Sequence, residues 1–568
     1  MNYPRHTRFP KGALKNGSLN NGISKKRALH TEPLTHSVAA PCVSSNQRVR
    51  EELSGLISGL SAEVDISHTP LAIPLRLYTA EQSRALDQAA IASGVSGFSL
   101  MQRAGASAFS LIRSLWPHAQ HLLIFCGGGN NGGDGYVVAA LAHMAGFDVN
   151  VVALKAPEHL KNEAAEAYEM ARKAGVEVSV GFETPPAIET VDLIVDALLG
   201  TGITGAPSGE YGAAVEWINT QDLPVLALDI PSGVNTDTGA VELAVEASAT
   251  LSFIGRKVGL YTGLSADYCG QRYLDNLGVP EEIMCAKSAV GKLLSPCMLE
   301  AGLPPRLPTS HKGHTGHLLV VGGRQGYGGS CIMLSESAVR VGAGLVSLAT
   351  DPVHIAPALT RCPELMVRGV QSGLELADLV AQARAIAIGP GLGQEAWGQG
   401  LLKAVLEAEK PTVMDADALH LLHAQYPEMK RDNWVLTPHP GEAAMLLGIT
   451  AAEVQADRLA AGRALWQRYG GVIVLKGNGT LIINGLDESA TCLCPYGNPG
   501  MASGGMGDVL GGMIAGLLTQ GLPPVEAARL GVLVHALSAD LAAHTAGERG
   551  LAASDLASFA HYLVNLSS

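Results

Sequence analysis

This chain predicts an α/β protein of two domains, each an open, mostly parallel sheet covered by helices. Three observations carry that expectation. Short β-branched or Leu-rich runs alternate with helical segments along most of the chain, as in repeated βαβ units. The runs end in Gly, Asn or Asp, where loops follow strands. Aromatics make up only 5% against 47% apolar residues and 67 Gly, a mix suited to Ala/Val/Leu-rich buried sheets. A chain of 568 residues also exceeds what one hydrophobic core serves, so two globular units are expected.

Residues 1–75 are rich in Asn, Ser, Pro and Lys/Arg and keep no periodicity, so they are expected to form a disordered basic extension. They are acid-poor like a transit peptide but lack an apolar h-region and an amphipathic helix. Structure is expected to begin after Pro74. Thr79 and Gln82 have capping-box spacing, and Leu86, Ala89, Ala90 and Ile91 follow as a helical stripe.

The first domain, residues 76–284, has strand-like runs at 121–126, 148–153, 191–197 and 224–229. Lys, Ser, Gly and Pro then accumulate over 285–305, read as a linker. The second domain, residues 306–568, has runs at 317–321, 385–388, 412–415, 434–436 and 472–475 before a Gly-rich turn and a long helix from about Val509. The halves share a style but not their motifs, so no internal repeat is inferred.

The formal charge is −13, and residues 1–50 hold nine Lys or Arg against one Glu, so the folded body is more acidic still. Such a surface repels phosphate backbones and anionic membranes, which argues against nucleic-acid or membrane binding. No apolar run reaches the ~20 residues of a membrane helix. The nine Cys form no CxxC pair and no cluster with His, which suits reduced thiols in a cytoplasmic setting. Cys492 and Cys494 share a strand face and read as small hydrophobes.

Ligands of open parallel sheets bind beyond the carboxyl ends of the strands. Three such ends stand out in the first half. Cys126-Gly-Gly-Gly-Asn130-Asn131-Gly132-Gly133-Asp134-Gly135 lies between a strand and an apolar helix expected from about Tyr136. Glycines there let backbone N–H groups close on a phosphate at a helix start, with Asn tolerating left-handed geometry. A plain turn is the other reading. The dinucleotide fingerprint and the P-loop ending are both missing. The second and third ends are Asp196-Ala-Leu-Leu-Gly200-Thr201-Gly202-Ile203-Thr204-Gly205 and Asp229-Ile-Pro-Ser232-Gly233. A buried carboxylate needs a cation or donors, so repeated Asp at strand ends implies a shared polar site. Asn131, Asp196 and Ser232 offer only oxygen, which suits a hard alkali or alkaline-earth ion. Taken singly, Asp229 or Ser232 could equally be a helix cap.

These motifs, with Leu100-Met101 and Ala104-Gly105 before them, closely resemble the NAD(P)H-hydrate epimerase family, the YjeF N-terminal domain, over residues 78–283. The resemblance implies a Rossmann-like open sheet with flanking helices and substrate phosphates held by Asn130–Asp134 and by Gly200, Thr201, Gly202, Ile203, Thr204, Gly205 and Ala206. It implies a potassium ion at Asn131, Asp196 and Ser232. Asp229 would touch the nicotinamide end and serve as acid/base, inverting the hydrated ring carbon by loss and return of the hydroxyl.

In the second half Gly322-Gly323, Gly389-Pro-Gly391-Leu-Gly393, Asp415-Ala-Asp417, Thr437-Pro-His439-Pro-Gly-Glu442 and Lys476-Gly477-Asn478-Gly479-Thr480 follow successive strands. The strongest signal is Gly497-Asn-Pro-Gly-Met-Ala-Ser503-Gly504-Gly505-Met506-Gly507-Asp508 at a helix start. A glycine turn aims N–H donors at an oxyanion, and Asp508 can take a proton from a hydroxyl attacking phosphorus. Asp508 as a simple N-cap is the alternative.

This set, together with His311-Lys-Gly-His-Thr-Gly316, resembles ribokinase-like kinases and in detail the ADP/ATP-dependent NAD(P)H-hydrate dehydratases, the YjeF C-terminal domain. The resemblance implies nucleotide binding by Lys476, Gly477, Asn478, Gly479, Thr480 and Gly507. It places Ser330, Gly391, His439 and Asp508 against the hydrated cofactor. His439 by itself reads as a structural histidine. Where the family often has Thr in the glycine turn, this chain has Ser503 and Met506. The implied activity is repair: epimerisation of NADHX and NADPHX, then dehydration of the S form by transient phosphorylation of the ring hydroxyl from ADP or ATP, with magnesium. Fusion in one chain resembles the bacterial arrangement and suggests ADP. A homo-oligomer is also expected. Two rival readings remain at this point, a kinase releasing a stable phosphorylated product and a first half that is only an assembly module.

Overall fold

The computed structural model describes residues 55, 63–66, 75–183, 186–202 and 205–566. Its strands in chain order are β1 (Val64–Asp65), β2 (Arg76–Tyr78), β3 (His121–Cys126), β4 (Asp148–Ala153), β5 (Glu177–Val180), β6 (Leu193–Ala197), β7 (Val225–Leu228), β8 (Ala249–Phe253), β9 (Arg256–Lys257) and β10 (Gln271–Asp275). Then come β11 (Gly291–Leu293), β12 (His317–Val321), β13 (Leu345–Thr350), β14 (Met366–Gly369), β15 (Ala385–Ile388), β16 (Thr412–Met414), β17 (Trp434–Leu436), β18 (Val472–Leu475), β19 (Thr480–Ile483) and β20 (Thr491–Cys494).

The first sheet has the order β1-β10-β8-β7-β6-β3-β4-β5, and every pairing in it is parallel. Its central strands are apolar throughout; β3, β6 and β7 bury nearly every side chain because helices cover both faces. From β3 the chain turns outward to β4 and β5, then returns to β6 on the other side. The crevice beyond the ends of β3 and β6 is therefore a topological switch point, where an open sheet leaves room for a ligand.

The second sheet has the order β14-β13-β12-β15-β16-β17-β18-β19-β20-β11-β2-β9. It is parallel from β14 to β18, and its switch point lies between β12 and β15. The helices Met506–Thr519 and Pro524–Ala546 pack on one face, within a cluster that includes Leu318, Leu334, Met513 and Leu533. Cys492 and Cys494 belong to the same cluster as small buried hydrophobes, and all the described cysteines are free.

Three expectations about boundaries need correction. The 285–305 stretch is not a bare linker: β11 pairs with β20 and with β2 there, because an edge strand of the second sheet needs a partner for its N–H and C=O groups. The second sheet also takes β2 and β9 from before residue 284. The basic extension lies mostly outside the described residues, yet β1 within it pairs with β10, so structure begins before Pro74. No helix among the described residues is long and apolar enough to cross a membrane.

The opening helix Ala80–Ala92 starts as expected, Thr79 accepting from the Gln82 amide and Gln82 reaching back to Thr79. The Gly-Asn loop differs from expectation. Its helix is Asn130–Met144 and begins six residues early, so only Gly127–Gly129 form the turn. None of residues 127–135 has a positive φ. Close packing is what these glycines serve: a Cβ on Gly132 would lie 2.0 Å from the Gly127 carbonyl oxygen, and one on Gly135 2.6 Å from the Ala197 Cβ.

Candidate functional site

The first switch point gathers the expected oxygen ligands. Asp196, near the end of β6, is fully buried; its Oδ1 accepts from the Ser232 hydroxyl at 2.6 Å and the Leu198 amide at 3.1 Å. Its Oδ2 accepts from the Ser232 amide at 2.8 Å. Burial still pushes the carboxyl up to about 6, against the pull of these hydrogen bonds. Asn131 donates its amide to the Leu199 carbonyl at 3.1 Å, and the Ser232 hydroxyl also lies 3.2 Å from that carbonyl. Asn131 Oδ1 is then left buried without a hydrogen-bond partner. Oxygens outnumber the protons available to them here, which is the donor chemistry of a cation site. Ser232 and Asp229 are not helix caps.

A cavity of about 650 Å³ opens beside this cluster, lined by Asn130, Asn131, Asp134, Gly200, Thr201, Gly202 and Asp229 among the expected positions. Gly132, Gly133, Gly205 and Ala206 do not line it, and Ile203 and Thr204 lie outside the described residues. The amides at the start of the 15-residue helix Asn130–Met144 face this region, and a helix N-terminus carries unsatisfied donors and a positive partial charge that suit an anion.

Asp229 follows β7 with φ +64, a left-handed conformation that Asp tolerates better than most residues. Its amide donates to the Leu251 carbonyl at 2.7 Å, and its Oδ1 is ion-paired with the Lys257 ammonium. Lys257 is 3% exposed and also donates to the Phe253 carbonyl at 2.8 Å. Asp134 is buried, and burial, reinforced by Asp229 and Asp87, holds its carboxyl well above the ordinary range. Asp87, on the opening helix, lines the same cavity and is pushed up to about 6 by burial.

Lys257 and Asp87 were absent from the sequence reading. Asp87 flanks the apolar stripe of its helix and looks like a solvated position. Lys257, in Phe253-Ile-Gly-Arg-Lys-Val258, carried one usable signal: a basic pair between apolar residues, where a buried charge demands a partner.

The second switch point is built around Lys476. Its ammonium lies 2.7 Å from Asp415 Oδ1 and 3.7 Å from Glu442 Oε2. Burial alone would lower its pKa, and Asp415 and Glu442 more than reverse that. Asp508 stands in the first turn of the helix Met506–Thr519, whose cap is Gly505 with φ +91, so the capping alternative for Asp508 falls away. Burial and then Asp415 push its carboxyl up to about 6, opposed by the Ser330 hydroxyl hydrogen bond and by Lys476. A Cβ on Gly507 would lie 3.3 Å from Lys476 Nζ and 3.4 Å from Asp415 Oδ2, so glycine keeps this floor open. Gly391 has φ +62 and lies against the Tyr327 backbone.

His439 caps the helix Pro440–Leu447: its Nδ1 accepts from the Gly441 amide at 3.0 Å, while Glu442 accepts from the His439 amide at 2.8 Å. The cap spends Nδ1 as an acceptor, and Nε2 lies 3.6 Å from Glu442 Oε1 on a side chain that is 56% exposed, so the structural reading of His439 holds. Ala416, between Asp415 and Asp417, has φ +50, a strained conformation for alanine that sequence patterns do not signal. Among the described residues no group of three or more His, Cys, Asp or Glu is placed to hold a metal ion.

Comparison with known proteins agrees with this geometry. Residues 97–259 match the family described as YjeF-related protein N-terminus, and residues 318–561 match the family described as NAD(P)H-hydrate dehydratase. The bifunctional NAD(P)H-hydrate repair enzyme Nnr of Coxiella burnetii is 45% identical over 491 residues, covering 86% of this chain and 99% of its own length. The chain belongs to the bifunctional NAD(P)H-hydrate repair enzymes. The Escherichia coli K12 protein of the same name is 45% identical over 87% of this chain and 95% of its own. Among solved structures, the ADP/ATP-dependent NAD(P)H-hydrate dehydratase of Bacillus subtilis, co-crystallised with ATP and Mg2+, is 30% identical over 49% of this chain and 98% of its own, with a TM-score of 0.43.

The first switch point lies within the stretch that matches the YjeF-related N-terminal family, and the second within the stretch that matches the dehydratase family. The Lys476–Thr480 segment of the dehydratase half rests on the epimerase half: Asn478 donates to the Gly263 carbonyl at 3.1 Å, and Gly479, with φ +65, lies against the Tyr261 carbonyl. Arg458, 1% exposed, ties the two together, donating to the Thr262 hydroxyl at 3.1 Å and to the Leu475 and Lys476 carbonyls at 3.2 Å.

Proposed function

We propose that the two switch points divide the repair of NADHX and NADPHX. The cavity after β3 and β6 interconverts the R and S hydrates with Asp229 as acid/base, and the site after β12 and β15 dehydrates the S form with Asp508 as base. One observation carries the reading: Asp229 is ion-paired with the buried Lys257 beside the helix start of Asn130–Met144, and Asp508 stands in the first turn of Met506–Thr519 close to Lys476, which is itself paired with Asp415. In the epimerase half the helix start holds the substrate phosphates. The ion pair with Lys257 holds the Asp229 carboxyl in place at the cavity wall. In the dehydratase half Asp508 takes the proton of the ring hydroxyl as that oxygen attacks the terminal phosphate of the nucleotide. The donors at Gly505–Gly507 and Lys476 meet the charge that develops on phosphorus. The nucleotide departs one phosphate shorter; phosphate then leaves the ring carbon while the adjacent ring carbon gives up a proton to solvent, and the electron pair of that C–H bond forms the ring double bond. Ser330, Gly391 and the exposed ring of His439 face the cofactor, and Lys476, Gly477, Asn478, Gly479, Thr480 and Gly507 hold the nucleotide.

Potassium fits Asn131, Asp196 and Ser232, because the buried unpartnered Asn131 oxygen and the uncompensated Asp196 carboxyl both call for a cation. It would supply a fixed positive charge near the substrate phosphates. Magnesium would enter with the nucleotide phosphates rather than in a protein cage, which suits its reluctance to shed water. Of the two nucleotides, ADP is the proposed donor, with a homo-oligomer in a cytoplasmic setting. The test is recovery of NADPH absorbance from chemically hydrated NADPH with ADP or ATP. No recovery with either nucleotide overturns the reading, and faster recovery with ATP overturns the ADP preference alone.

A further inference from the structure

Inverting one carbon by loss and return of a hydroxyl requires proton handling on both faces of the ring. The leaving hydroxyl needs an acid on its own face, and the water that enters on the other face needs a base there. One fixed carboxylate reaches one face only. Hydrolysis with inversion at a sugar carbon sets the same requirement and is met by two carboxyl groups on opposite sides.

The epimerase cavity holds one pair already described, Asp229 with Lys257, at the strand-end wall. A second carboxyl reaches the same cavity from a different wall. Asp87 lies on the helix Ala80–Ala92, one residue after Leu86, which is fully buried against Gly255 in the loop that carries Lys257. That contact fixes the helix at the mouth of the cavity, with Asp87 in its lining. Two further carboxyls line the cavity: Asp134 is buried within the helix Asn130–Met144, and Glu163, on the helix Asn162–Ala174, has its carboxylate against Gly97 at the start of the helix Gly97–Leu115. Asp87 is open to the cavity's solvent and can exchange its proton between turnovers.

Resting on the epimerase reading above, we propose that Asp87 is a second catalytic residue of that half, exchanging a proton with the ring hydroxyl on the face that Asp229 and Lys257 do not serve. In one direction the protonated Asp87 carboxyl gives its proton to the departing hydroxyl as the C–O bond breaks and its electron pair goes to oxygen. The ring nitrogen lone pair forms the C=N bond of an iminium, and water is released. Water then attacks the same carbon from the opposite face, its electron pair forming the new C–O bond while Asp229 takes its proton. Net, one proton passes from Asp87 to Asp229, and the reverse epimerisation or the solvent returns it.

The experiment follows inversion and oxygen exchange together for each purified NADPHX epimer in H2-18O, with the uncatalysed background subtracted. Wild-type protein should invert and incorporate 18O at comparable rates. Asp87→Asn should lower inversion by the ~10²–10⁴-fold of a lost acid/base, while one epimer still exchanges its oxygen on the Asp229 face within about tenfold of wild type. Asp87→Glu should recover part of the inversion, and both variants should melt like the parent. A fall in inversion and exchange by the same factor in Asp87→Asn, or the exchange-without-inversion signature in Asp134→Asn instead, overturns the proposal. Wild-type protein that fails to invert either epimer overturns the epimerase reading itself.

Discussion

Replacing Asp508 by Asn should make the protein less active and more stable at once. The carboxyl is raised from 3.8 to about 6, mainly by burial and then by Asp415. The folded protein therefore holds that proton more tightly than the unfolded chain does. Below about pH 4 both states carry the proton and the group costs nothing. As pH rises through 6 the folded state must bear a charge that its surroundings disfavour. At about 1.4 kcal/mol per pH unit the cost reaches roughly 3 kcal/mol by neutral pH, and about half that after screening in a partly open site. Asn has the same shape without the charge, so Asp508→Asn should melt higher than the parent at pH 7.5 and equally at pH 4. Nucleotide-dependent dehydration should fall by ~10²–10⁴-fold, and the parent's rise in kcat through about pH 6 should vanish. Differential scanning calorimetry at the two pH values and an NADPH-recovery profile from pH 5 to 8 read both effects. A variant that melts lower at pH 7.5, or keeps the rise through pH 6, refutes Asp508 as the buried base.

Asp229→Asn should do the converse, stopping epimerisation while S-hydrate dehydration continues, and mixing it with Asp508→Asn should restore full repair because the hydrate diffuses between chains; Asn accepts the left-handed φ of +64, so the fold should hold. Removing residues 1–74 takes away Glu63, which pairs at 2.9 Å with Arg256 and also accepts from Tyr261, all nearly buried. An uncompensated Arg256 should cost about 3–5 kcal/mol, and an unchanged melting temperature would show the extension to be dispensable. A C-terminal fragment starting at residue 305 loses β11 and bares the β20 edge, so it should aggregate where one starting at 288 stays soluble, by size-exclusion chromatography. Potassium at 100 times its Kd should raise stability by about 2.7 kcal/mol over lithium at equal ionic strength, and Asn131→Leu should abolish that difference.

The strands that carry the sites were legible because they are buried on both faces and therefore read as continuous apolar runs: β3, β12, β15, β17 and β18 fall where the sequence places them. Strands β5 and β14 were not legible, because at the sheet edges they are largely exposed and mix polar with apolar residues. The start of the helix Asn130–Met144 was misplaced for a related reason. Gly and Asn are poor helix formers, yet Gly132 lies against the Gly127 backbone and Gly133 and Gly135 against the Met101 and Ala197 side chains, so packing overrides propensity there. At the sites, Asp196, Asp229, Ser232, Lys476 and Asp508 announced themselves as polar residues at strand ends or a glycine turn. Asp87 and Lys257 did not, since their meaning depends on which wall of a cavity they face.

The sharing of strands between halves had no local signal at all, and it bears directly on the chemistry. β9 is only Arg256–Lys257, too short to hold its place alone, and it pairs with β2 at the far end of the sheet whose other members build the dehydratase site. The same two residues face the epimerase half: Arg256 pairs with Glu63, and Lys257 with Asp229. The next residues, Tyr261–Gly263, support the Lys476–Thr480 segment and accept the Arg458 hydrogen bond. A sheet edge that ended at β20 would leave Lys257 on a free loop, where a buried ammonium could not be kept on Asp229 against its own hydration. Continuing that sheet through β11 and β2 to β9 gives the lysine a rigid base, so the Asp229–Lys257 geometry depends on a sheet whose other strands belong to the second half.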